Sequence, residues 1–195
     1  MSKKSISMSV NIALFASGSG SNAENIIRHF ETDSRFHFPV IISNKPDAFV
    51  HERARKLHIP SVTFPKQDFE NGEKILELLK TYNVEAIVLA GFLLKVPTEI
   101  VKAYPGKIIN IHPALLPKHG GKGMYGDRVH KAVKEEGDTE SGITIHYVNE
   151  NYDEGNVIFQ AVCPILPTDG FEDIAAKVHA LEYEYFPKVI EQIWG

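Results

Sequence analysis

Asn110 and His112 stand two residues apart in the stretch Ile108-Ile109-Asn110-Ile111-His112-Pro113. On an extended strand that spacing sends both side chains to one face, with Ile109 and Ile111 on the other. An amide can donate to a developing oxyanion, and an imidazole can donate or shuttle a proton near neutral pH. A polar pair satisfied within the following loop accounts for the same residues equally well. No serine or cysteine nucleophile stands beside an evident base. Nine histidines are present, but His112, His119, His130 and His146 lack a tight metal-ligand spacing, so no metal site is expected.

Two further stretches could complete a site. The turn Asn149-Glu150-Asn151-Tyr152-Asp153-Glu154-Gly155 is acidic, as solvated loops commonly are. If it folds back over His112, Asp153 can orient or charge the imidazole, or take a proton through water. Near the N-terminus, a strand runs into Ser17-Gly18-Ser19-Gly20-Ser21-Asn22. Glycine lets the backbone turn tightly there, and exposed amides at a helix start attract phosphate. Ser21 with Glu24 matches a capping box. Gly18, Gly20 and Ala23 also fit a dinucleotide fingerprint, but the second strand ends Ser43-Asn44-Lys45-Pro46 without the acid that fingerprint needs. A monophosphate site is favoured over a nicotinamide cofactor, with a plain tight turn as the alternative. The glycines are followed by no Walker-type lysine, against a nucleoside triphosphate.

The elements that must position these residues follow from periodicity. Strands are expected at 10–16, 38–43, 61–64, 85–90 and 107–111, with helices at 22–30, 47–57, 69–82 and 97–104 between them. A glycine-rich loop at 113–126 and a helix at 127–136 come next. Close strands at 141–148 and 157–163 and a long helix at 171–194 end the chain. Alternating strands and helices predict an α/β class, a doubly wound and mostly parallel sheet, with antiparallel C-terminal strands and a long C-terminal helix. No repeat or linker is visible, so residues 1–195 read as one domain. Ligands in such sheets bind outside the carboxyl ends of the strands, where 17–22, 91–96 and 110–126 all fall.

Bulk properties narrow the function classes. Hydrophobic residues make up 43% of 195, enough for a sizeable core, and the net charge is −4. That balance argues against nucleic acid as a partner. A single cysteine, Cys163, excludes an intrachain disulfide. The start Met1-Ser2-Lys3-Lys4 leads into no apolar signal core, and no run approaches a membrane span. A cytoplasmic protein is expected.

In combination and order, several motifs resemble the folate-dependent phosphoribosylglycinamide formyltransferase family over nearly the full length. They are Ser17 to Asn22, Ile42-Ser43-Asn44-Lys45, Leu89-Ala90-Gly91-Phe92, Asn110 to Lys118, and Asp153-Glu154-Gly155. The resemblance implies transfer of a formyl group from 10-formyltetrahydrofolate to glycinamide ribonucleotide in purine synthesis, without a metal. Asn110 would hold the formyl oxygen, His112 would stabilise the oxyanion and assist proton movement, and Asp153 would position His112 and a water. Ser19, Gly20, Ser21 and Asn22 would hold the substrate phosphate, and Lys66 and Glu182 the ribose end. The folate would lie on Phe92, Leu93, Leu94, Lys95, Val96 and Asn110. Leu94 departs from the family, where arginine is common, and the loop from His119 to Gly126 is unusually glycine-rich, as a mobile lid or an ordinary surface loop would be.

The implied partners are the two small molecules, to a monomer or homodimer. Methionyl-tRNA formyltransferase shares the Asn-Ile-His-Pro chemistry but normally carries a further tRNA-binding domain. Formyltetrahydrofolate hydrolase normally has an N-terminal regulatory domain, where only nine residues precede the first strand here. A nucleotide-binding regulatory module would explain the glycine turn but give Asn110, His112 and Asp153 no task.

Overall fold

The computed structural model describes residues 9–151 and 153–195. The N-terminal octet, on which the signal-segment reading falls, and Tyr152 lie outside them. Strands β1 (Val10–Phe15), β3 (Ile41–Ser43), β4 (Ser61–Thr63), β5 (Ala86–Leu89) and β6 (Ile108–His112) pair in parallel in the order β4-β3-β1-β5-β6. A two-residue strand, β2 (Phe36–His37), pairs with the start of β1. β7 (Glu140–Tyr147) joins β6 antiparallel, and β8 (Val157–Pro164) closes that edge. Strands β1, β3 and β5 are buried almost throughout, as a sheet covered on both faces requires.

Helices α1 (Ser21–His29), α6 (Asp127–Glu135) and α7 (Phe171–Trp194) cover one face, where Ile26, Val129, Val178 and Phe186 pack against Ile12, Leu14 and Ile109. On the other face Ile75 and Leu79 of α4 (Glu73–Thr81) and Ile100 of α5 (Thr98–Ala103) pack against Phe15, Ile42 and Ile87. α2 (Val50–Lys56) follows β3. Among the described residues no helix is long and apolar enough to cross a membrane.

Most expected elements form, with shifted ends. β3 begins at Ile41 rather than residue 38, and α2 at Val50 rather than residue 47. The helix expected over 69–82 is two helices, α3 (Asp68–Asn71) and α4, because Gly72 at φ 74° ends the first and opens the second. The capping box does not form. α1 starts from Gly20 with no side-chain cap, and Glu24 instead pairs with Arg28 and Arg53. Two arginines offer the carboxylate stronger bonds than one backbone amide, and they hold it below the usual carboxylate range.

Candidate functional site

Register brings the chemistry-bearing side chains together. On β6, Asn110 lies opposite His146 and His112 opposite Thr144 of β7. Asn110 Nδ2 donates to His146 Nε2 at 3.1 Å, while His146 Nδ1 lies 2.9 Å from the Tyr147 carbonyl. The carbonyl can only accept, so the His146 proton sits on Nδ1 and its Nε2 is free to accept.

The turn after β7 folds back, as its position relative to His112 required. Gly155 makes this possible: a side chain there would stand 1.6 Å from the Tyr147 carbonyl oxygen. Asp153 takes a left-handed backbone at φ 53° and its carboxylate enters the site. Oδ2 accepts from the Gly121 amide at 3.0 Å and lies 3.5 Å from His112 Nδ1, and Oδ1 lies 3.6 Å from His146 Nε2. Burial would raise this carboxyl, but the neighbouring His146 and His112 rings and the Gly121 amide outweigh it and hold it below the usual range.

His112 is 3% exposed. Burial pushes its pKa down, against the upward pull of Asp153, so the ring is neutral at pH 7. Its Nε2 lies 2.8 Å from the His119 carbonyl, which fixes the proton there. Nδ1 then turns a lone pair toward Asp153, and this imidazole–carboxylate pair lacks one shared proton. His119 is itself held by Asp138 at 2.7 Å. His119, Glu136 and Asp138 approach one another at the root of the glycine-rich loop, but the Lys118 ammonium already pairs with both acids.

The second part of the site is the turn after β1. Gly20 has φ 71°, and a Cβ there would stand 2.3 Å from Val50 Cγ2, so no other residue fits without moving α2. Asn22 Nδ2 donates to Glu182 Oε2 at 2.9 Å, and the same oxygen meets His179 Nδ1 at 2.8 Å. Glu182 is 4% exposed, so it is not the solvated helix charge its position on α7 could have made it.

A cavity of about 510 Å³ joins the two parts. It is lined by 18–22, 90–93, 110–113 and 121–126 together with Asp153, His130, His179 and Glu182. The turn after β1 thus opens on the same space as the Asn110–His112–Asp153 group. A smaller recess of about 60 Å³ behind it is lined by Phe92, Leu94, Lys95, Val96, Asn110 and His146.

A family model described as formyl transferase matches residues 10–190. The chain is 39% identical over 188 residues to phosphoribosylglycinamide formyltransferase of Bacillus subtilis (strain 168), covering 94% of each. The chain belongs to the formyl transferase family. It is also 39% identical over 188 residues to the chloroplastic phosphoribosylglycinamide formyltransferase of Arabidopsis thaliana, covering 93% of this chain but spanning only 64% of that relative's length. Among solved structures, glycinamide ribonucleotide transformylase 1 of Geobacillus kaustophilus superposes with a TM-score of 0.88 at 33% identity, over 96% of this chain and all of the other.

Within this formyl transferase the expected site residues separate clearly. Ser19, Gly20, Ser21, Asn22, Phe92, Leu93, Asn110, His112, Asp153 and Glu182 meet in the larger cavity, and Leu94, Lys95 and Val96 in the smaller. Lys66 does not join them: it is exposed on the connection between β4 and α3 and lines neither cavity. The formyl transferase site also uses groups the sequence left unassigned. Ser17 Oγ bridges Asn44 Oδ1 at 2.6 Å and the Leu93 amide at 2.9 Å, pinning the two strand-end loops together. His146, His130, His179 and the Gly121 amide are further additions. His146 lies on the strand expected at 141–148, but only its pairing with β6 brings it to Asn110.

Proposed function

We propose that this chain transfers the formyl group of 10-formyltetrahydrofolate to the amine of glycinamide ribonucleotide. The observation that carries this reading is one cavity with the glycine turn after β1 at one end and Asn110, His112 and Asp153 at the other. The named activities of its relatives agree with it. We take the chain as one formyltransferase domain, and place its reaction in the cytoplasm, in keeping with the unpaired buried Cys163. Its partners in this reading are the two small substrates.

Ser19 to Asn22 would receive the phosphate and Glu182 the sugar, which directs the substrate amine toward β6. Backbone groups of Leu93 and the apolar walls from Phe92 to Val96 would hold the folate. Leu94 packs against the core, so its side chain offers shape where an arginine would offer charge.

Attack of the neutral amine on the formyl carbon forms a C–N bond and a tetrahedral centre bearing an alkoxide and an ammonium. The Asn110 amide, steadied by His146, is an oxyanion donor, and such a donor contributes roughly 3–4 kcal/mol to the transition state. The ammonium proton passes to the His112–Asp153 pair, directly or through water, because that pair lacks one proton. Collapse then breaks the bond to N10 of the folate, which takes a proton and leaves as tetrahydrofolate. His112 Nε2 can reach the oxyanion only if the His119 carbonyl moves away, so the geometry favours the proton role for His112. Release of tetrahydrofolate measured with both substrates, and with each alone, tests the reading: it requires turnover only when both are present.

A further inference from the structure

His130, on α6, is 1% exposed, and its Nδ1 is enclosed with no hydrogen-bond partner among the described residues. The ring nevertheless lines the larger cavity beside His179 and Glu182. Burial, reinforced by His179, pushes its pKa down, so it is a neutral imidazole with one N–H and one lone pair. A buried N–H without an acceptor costs more than a buried lone pair. The proton therefore belongs on Nε2, the nitrogen that is not enclosed.

Glu182 presents the complement. Its Oε2 takes bonds from Asn22 and His179, and its Oε1 takes none among the described residues. The His130 ring lies against His179, with centroids 6.3 Å apart, and His179 meets the Glu182 carboxylate, so an imidazole N–H and a carboxylate oxygen line one stretch of the cavity wall. Asn22 ties Glu182 to the turn after β1. One acceptor and one donor next to each other suit a vicinal diol, whose hydroxyls can give to the first and take from the second. A cis-diol one sugar away from a phosphate is the ribose of a ribonucleotide.

We propose that His130 is a specificity-determining residue for the acceptor, donating from Nε2 to the ribose diol that Glu182 binds as acceptor. This rests on the ribonucleotide reading above. His130 lies on the helix following the glycine-rich loop, so the sugar contact comes from an element outside the β1 turn and α7.

Two variants and two sugars test it. His130→Leu keeps bulk and removes the donor; His130→Gln keeps a donor. His130→Leu is expected to raise KM for glycinamide ribonucleotide about tenfold, a contact of ordinary hydrogen-bond strength. It should leave kcat and KM for the folate within about twofold, and His130→Gln should recover part of the loss. Calorimetric titration of ribose 5-phosphate and 2-deoxyribose 5-phosphate reads the contact without turnover. Wild type should prefer ribose several-fold, and His130→Leu should lose that preference. Equal affinity of wild type for the two sugars, or an equal penalty on both in either variant, overturns the inference. A sugar preference that depends on His130, without acceptor-dependent turnover, would sink the transferase reading alone.

Discussion

The two ends of the cavity are built by different means. At the end of β1 the proposed ligand surface is the backbone of one contiguous stretch, where Gly20 at φ 71° turns the chain into α1. At the end of β6 the surface is side chain, drawn from β6, β7 and the turn before β8 and held in place by backbone groups of the glycine-rich loop. A backbone site tolerates changes of side chain and fails through conformation. A side-chain site keeps its fold when altered and fails through chemistry. The two ends should therefore separate in mutagenesis.

The largest effect is expected from His112→Ala, which removes the proton acceptor. Single-turnover and steady-state assays should show kcat reduced by about 10³-fold, while circular dichroism and thermal melting show the fold retained. Equal loss of folding and activity would place His112 among the structural residues instead.

Asp153→Asn should reduce kcat by about 10²-fold and leaves a signature in pH. Burial lowers the His112 pKa and Asp153 partly restores it. The neutral, accepting imidazole therefore persists to lower pH than an ordinary histidine, and activity should fall only below about pH 6.5. Removing the carboxylate's charge takes away the upward pull, so the acid limb of the kcat profile should move lower still. A limb moving upward in Asp153→Asn would contradict this electrostatic account.

At the other end Gly20→Ala should act through conformation. A Cβ there meets Val50 at 2.3 Å on a left-handed backbone, so roughly 1–3 kcal/mol of stability should be lost, visible in denaturant titration. KM for the ribonucleotide should rise and KM for the folate should hold. Ser21→Ala should do less than Gly20→Ala, because no side-chain cap is lost.

The smallest effect should come from Ser17→Ala. It breaks the link between Asn44 and the Leu93 amide, and about 1 kcal/mol of hydrogen bonding goes with it. KM for the folate should rise several-fold, with the ribonucleotide unaffected.

The same contrast explains what the sequence disclosed. The β1 turn was legible because its glycines are local punctuation, although the adjoining Ser21–Glu24 cap was misread: Arg53, 29 residues away from Glu24, competed for the carboxylate. Asn110 and His112 were legible as a pair because strand alternation fixes their common face. Their company was not. The approach of Asp153 depends on Gly155 clearing the Tyr147 carbonyl, and Glu182 reaches Asn22 across 160 residues. Helix periodicity alone leaves Glu182 indistinguishable from an exposed acid. His130 carried no local signal, since a buried imidazole shows its orphaned nitrogen only in three dimensions. Lys66 was a candidate by resemblance alone, and it sits exposed on a surface connection and lines neither cavity.

The central claim is that one cavity joins a phosphate site to a formyl-transfer centre. Its most direct test is tetrahydrofolate release by the purified protein from 10-formyltetrahydrofolate, with and without glycinamide ribonucleotide. The account predicts turnover that requires the ribonucleotide and disappears in His112→Ala. Release at the same rate without the ribonucleotide would mean that water is the acceptor and the claim is wrong.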